Sequence, residues 1–166
     1  MLILGLNMFH ADSSAALVQD GEVVFAIAEE RLNRVKHYGG APVLSIRACL
    51  DAVGAKIEEV DHVAIGRDHT ANLARKIQYT AANPGKIPNL LKIHRRRENL
   101  NDLRALLAGM LQADPKALRF VEHHIEHHLA HIASAYYASG FDRAAGFSYD
   151  GSGDFVDGPY AGQARR

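Results

Sequence analysis

Leu2-Ile-Leu-Gly-Leu-Asn7, Ser13-Ser-Ala-Ala-Leu-Val-Gln19 and Glu22-Val-Val-Phe-Ala-Ile-Ala-Glu29 decide the fold. Each is an apolar run of strand length, and turn residues separate them. Ala11-Asp12-Ser13 marks the first bend, and Asp20-Gly21 is a dipeptide suited to the positive φ angles of a tight hairpin. The chain is expected to open as a three-stranded antiparallel meander.

Beyond the meander, the charged segment Glu29-Glu30-Arg31-Leu32-Asn33-Arg34-Val35-Lys36 runs to a stop at Gly39-Gly40. After Pro42, the residues Val43, Ile46, Leu50 and Val53 recur at helical spacing, with Gly54 where a C-terminal cap belongs. Val60 to Ile65 reads as a short buried strand. From Ala71 to about Ala108 the pattern is helical but interrupted by Asn83-Pro84-Gly85 and Pro88, which suggests a helical insertion over about 71–113. A strand follows at Leu118 to Val121, a helix at Leu129 to Tyr137 and a strand at Ala144 to Tyr149. The last of these delivers Asp150-Gly151-Ser152-Gly153-Asp154, and Tyr160 to Gln163 begins a returning strand. The pattern predicts one α/β lobe over residues 1–166, with a mixed sheet that opens antiparallel, continues with parallel strands and is flanked by helices.

Composition removes several function classes. The 166 residues are 48% hydrophobic, enough for an ordinary core, and 19 basic residues balance 19 acidic ones. No bulk charge points to nucleic acid or to an anionic membrane. No run approaches the roughly 18 apolar residues of a membrane span. The apolar start lacks a basic leader and meets Asn7, His10 and Asp12 almost at once, so it reads as a first strand rather than a signal peptide. The single Cys49 lies in an apolar helical stretch, a buried structural thiol suited to the cytoplasm.

Five of the ten histidines fall between His123 and His131. Two histidines can share a metal ion when their rings converge on one helix face, which i, i+4 spacing provides. His127 and His131 satisfy it, and so by count do His123/His127 and His124/His128, so spacing alone leaves the choice open. Asp150, at the C-terminal end of a strand, is a plausible third ligand. Two histidines and a carboxylate with open positions suit Fe(II), Mn(II) or Zn(II). The competing account makes the histidines surface residues or hydrogen-bonded core residues.

The first hairpin holds a second polar group: Asn7, His10, Asp12, Ser13 and Ser14 surround a turn whose amides suit a phosphate or carbonyl oxygen. His10 is a candidate base or donor, with an ordinary turn residue as the alternative. Gly151, Ser152 and Gly153 form either a phosphate cradle or a plain turn. Arg95-Arg96-Arg97 reads as a solvated helix face.

These residues resemble the O-carbamoyltransferases that include nodulation-factor, tobramycin-type and cephamycin-type enzymes. The first match runs from Gly5-Leu-Asn-Met-Phe-His-Ala-Asp-Ser-Ser-Ala-Ala-Leu-Val through Asp20-Gly21 to Ala28-Glu29-Glu30-Arg31-Leu-Asn-Arg34-Val-Lys36-His37. The second is His127-His128-Leu129-Ala130-His131-Ile-Ala-Ser-Ala-Tyr136, followed by Phe141-Asp142 and Tyr149-Asp150-Gly151. The resemblance implies the first lobe of an actin-like ATPase, or ribonuclease H-like, fold, with a YrdC-like domain further along such chains. That second domain would make carbamoyl-adenylate from carbamoyl phosphate and ATP, and the actin-like part would pass the carbamoyl group to a substrate hydroxyl beside a divalent metal, commonly iron. Carried over by motif, the metal ligands are His127, His131 and Asp150, and His10 stands beside the reacting carbamoyl group. The chain is expected to be an N-terminal fragment that is inactive alone, its partners being a small-molecule donor, a hydroxyl acceptor and the missing C-terminal portion. The alternatives are a lobe of a sugar-kinase-like ATPase and a non-catalytic metal-binding or interaction module.

Overall fold

The computed structural model describes residues 1–9, 12–67 and 102–149, with the backbone alone of 161–165. The chain divides into two compact units, Met1–Ile65 with Pro88–His123, and Gly66–Ile87 with His124–Arg166. The expected helical insertion lies mostly outside the described residues, as does Arg95-Arg96-Arg97.

In the first unit the meander forms as the sequence predicts. Strands β1 (Leu2–Asn7), β2 (Ser14–Gln19) and β3 (Glu22–Ala28) pair antiparallel. Asp20 and Gly21 both take positive φ, 52° and 91°, which matches the twist of the strands that they join. Strand β4 (His62–Ile65) then pairs parallel to β1, with Ile3 opposite His62 and Leu6 opposite Ile65. Strand β5 (Val121–His124) completes a sheet of order β3-β2-β1-β4-β5. This is the mixed α/β sheet expected of an actin-like, ribonuclease H-like lobe.

Alternation along β1 sends Leu2, Leu4 and Leu6 to the buried face and leaves Ile3, Gly5 and Asn7 half-buried on the other. The buried face packs with helix α2 (Val43–Val53) through Ile46, Cys49 and Leu50, and with helix α3 (Leu103–Leu111) through Leu103 and Leu107. Burial pushes the Cys49 thiol up to about 11, so it is an inert core group. Helix α2 ends at Gly54 with φ 66°, the cap that the sequence marks. Between β3 and α2 lies the short helix α1 (Glu29–Asn33).

One boundary differs from expectation. The strand expected at Leu118 to Val121 begins at Val121 instead and takes in His123 and His124. Leu118 and Phe120 are buried side chains that enter the core ahead of the ladder, which starts where the Val121 amide donates to the Asp61 carbonyl at 2.9 Å.

The second unit contains helix α4 (His127–Ser139), strand β6 (Arg143–Phe147) and strand β7 (Ala161–Arg165), the last two antiparallel. Helix α4 ends at Gly140 with φ 75°. No helix among the described residues is long and apolar enough to cross a membrane.

Candidate metal centre and the first-hairpin cluster

Of the three histidine pairs with i, i+4 spacing, the fold puts one on a single helix. His123 and His124 close strand β5, whereas His127 and His131 occupy the first two turns of α4. Their Nε2 atoms lie 3.2 Å apart, with the rings edge to face at a centroid separation of 4.6 Å. Two nitrogens bound to one metal at about 2.0–2.1 Å lie about 2.9–3.4 Å apart between square and tetrahedral angles. The pair therefore fits two positions of one metal ion. A cavity of about 620 Å³ opens beside them, lined among others by His131, Tyr136, Phe141, Phe147 and Tyr149.

Glu126 sets the start of this helix. Its carboxylate accepts from the His128 amide at 3.0 Å and the Leu129 amide at 2.8 Å, and contacts the His128 ring at 3.2 Å. Burial alone would raise the Glu126 carboxyl, but the bonds from His128 and Leu129 outweigh it and hold the group below the usual carboxylate range. His128 is thus engaged with the cap. Glu126 is a residue that sequence reading passed over; its signal was an acid one position before the first helical histidine.

The first-hairpin residues are tethered to the segment after α1. The Asn7 side-chain amide donates to the Asp12 carbonyl at 2.9 Å. Ser13 is buried: its hydroxyl donates to the Gly40 carbonyl at 2.7 Å, and its amide to the Tyr38 carbonyl at 2.9 Å. The Phe9 amide donates to Gly40 as well. Asp12 pairs with His37, Oδ1 to Nδ1, at 2.9 Å, and Glu30 accepts from the His37 amide at 2.9 Å. Among the described residues, Asp12, Glu30 and His37 form a group of three whose ligand-type atoms lie within 4.8 Å of one another. Sequence reading named Asp12 and missed its two partners, which arrive from across the meander. His10, Asp150, Gly151, Ser152 and Gly153 lie outside the described residues.

One unit thus carries a mixed sheet that opens on a meander, and the other a helix whose two converging histidines make a candidate metal half-site. The chain belongs to the family described as carbamoyltransferase N-terminus, whose pattern matches residues 2–163. It is similar to nodulation protein NolNO of Sinorhizobium fredii, 33% identical over 92% of this chain and 21% of that protein. It is also similar to the uncharacterized protein sll1178 of Synechocystis, 32% identical over 93% of this chain and 26% of that protein. The chain thus spans about a fifth to a quarter of the length of these relatives. Among solved structures, YeaZ from Pseudomonas aeruginosa aligns over 99% of this chain and 59% of that one, with a TM-score of 0.45 and 20% identity.

Proposed function

We propose that the chain is the N-terminal part of the transfer domain of an O-carbamoyltransferase, which passes a carbamoyl group from carbamoyl-adenylate to a hydroxyl of a sugar, antibiotic or nodulation-factor acceptor. The observation that carries this reading is the family match over residues 2–163. The convergence of His127 and His131 supports it, because it fits the metal that the family resemblance implies. His127, His131 and Asp150 would hold that metal, Fe(II) before Mn(II) or Zn(II), in a cytoplasmic enzyme. Bound there, it supplies a positive centre that stabilises charge developing on a carbonyl or phosphate oxygen. Helix α4 holds the two imidazoles on one face, and the Glu126 cap fixes the first turn that carries them. His10 would take the proton from the acceptor hydroxyl. Asn7, Asp12 and Ser13 would shape the loop around it, and Gly151, Ser152 and Gly153 would offer amides to the phosphate of the donor.

The test is an assay of the full-length gene product with carbamoyl phosphate, ATP and candidate acceptors. His10→Ala and His131→Ala are each expected to lower transfer at least tenfold while formation of carbamoyl-adenylate persists. Equal loss of both steps, or no loss of transfer, would overturn the assignment.

A further inference from the structure

We propose that His62 and His123 form a second site for a transition-metal cation, separate from the helix pair and independent of the carbamoyl-transfer reading. His62 stands at the start of β4 and His123 on the neighbouring edge strand β5. Their Nδ1 and Nε2 atoms lie 3.0 Å apart, and the ring centroids are 5.1 Å apart with planes tilted by 51°. That separation falls within the about 2.9–3.4 Å expected between two nitrogens of one coordination sphere. Without a metal, the contact is an N–H···N bond that uses one lone pair and one ring proton. With a metal, both lone pairs bind, and the donor ring carries its proton on its other nitrogen instead.

The backbone around the pair is already ordered. Asp61, directly before His62, accepts the Leu2 amide on Oδ2 at 2.7 Å, donates its own amide to the Leu2 carbonyl at 2.9 Å, and accepts the Val121 amide on its carbonyl at 2.9 Å. One residue thus knits β1, β4 and β5 beside both histidines, so binding needs side-chain adjustment rather than folding of a loop. His62 is half-buried and His123 exposed, which leaves the remaining coordination positions to water. Among the described residues, no carboxylate joins the pair as a third ligand-type group, and the carboxylates next in sequence have partners of their own: Asp61 Oδ2 the Leu2 amide, and Glu122 the Arg104 guanidinium at 3.9 Å. Two imidazoles and water, with no carboxylate ligand among the described residues, select Cu(II), Ni(II) or Zn(II) over Mg(II) or Ca(II).

The experiment uses the 166-residue chain carrying His127→Gln and His131→Gln, so that the helix pair cannot contribute. One equivalent of Cu(II) is expected to give an electron paramagnetic resonance signal with two coupled imidazole nitrogens. Adding His62→Gln, or separately His123→Gln, is expected to leave one and to weaken Zn(II) binding at least tenfold by calorimetry, with circular dichroism unchanged. Mg(II) in excess should not compete. A signal with at most one imidazole before the β-strand substitutions, or Zn(II) affinity unaltered by both of them, would overturn the proposal.

Discussion

A carboxylate buried at the first position of helix α1 needs strong partners, and Glu29 has three. It accepts from the Leu44 amide at 3.1 Å, and from the Ser45 amide and hydroxyl at 2.7 Å each. These are N-terminal donors of α2, whose own N-cap, Pro42, supplies no side-chain acceptor. Glu29→Ala would strand all three and is expected to cost about 1–3 kcal/mol in urea unfolding, with Glu29→Gln in between because an amide keeps one acceptor. A wild-type midpoint for Glu29→Ala would count against the cap. The sequence carries no sign of this cap, since Glu29 reads there as the junction of an apolar run and a charged one and its partners lie 15 and 16 residues on. His37 makes a pH prediction at the same scale. The hydrogen bond that the His37 ring donates to the Asp12 carboxylate, then the Asp12 charge, raises the His37 pKa above 6.5. A raised folded pKa means that the Asp12–His37 pair contributes fully below the unfolded value and is lost as pH rises through the folded one. NMR titration should place the His37 midpoint above that of a model histidine, and Asp12→Asn should bring it down; an unmoved midpoint would remove the ion pair from the account.

Elements were the most legible level. The strand-length apolar run Leu2–Asn7 and the Asp20-Gly21 turn specify the meander locally, and Pro42 and Gly54 bracket α2 with residues whose backbone preferences are intrinsic. The boundary of β5 was not legible, because it depends on where β4 offers a carbonyl, a fact about Asp61 rather than about residues 118–124. The contact of α4 with β6 was equally hidden. A Cβ added to Gly146 would lie 2.5 Å from Ile132 Cγ2, so the helix rests on a strand position that has no room for a side chain. Gly146→Ala is expected to destabilise the protein by about 1–3 kcal/mol through overpacking. Ile132→Ala costs stability by itself, yet it should shrink the Gly146→Ala penalty when the two are combined. Additive effects in that double-mutant cycle would show that the two residues do not meet as described.

At the scale of the whole molecule, spacing left three histidine pairs open, and the start of α4 after β5 is what selects His127 and His131; Asp150, which the sequence offers as a third ligand, lies outside the described residues. Under the proposed function, transfer needs an activated carbamoyl donor, a hydroxyl acceptor and a cleft that holds them at near-contact distance away from water. The matched stretch is 21% of one relative and 26% of another, so most of each relative's length has no counterpart in these 166 residues. Expressed alone, the stretch is expected to give no carbamoylated product from carbamoyl phosphate, ATP and acceptor, even with carbamoyl-adenylate supplied. It should still bind Fe(II), Mn(II) or Zn(II) through His127 and His131, weakly, because the family resemblance implies a further carboxylate ligand in addition to Asp150, and an ion held by an incomplete ligand set loses affinity. Mass spectrometry of the acceptor and calorimetry of the metal separate the two expectations. Turnover by the stretch alone would show that these residues already contain a complete site, and metal binding unchanged in a His127→Ala/His131→Ala variant that lacks the β-strand pair would move the metal off helix α4.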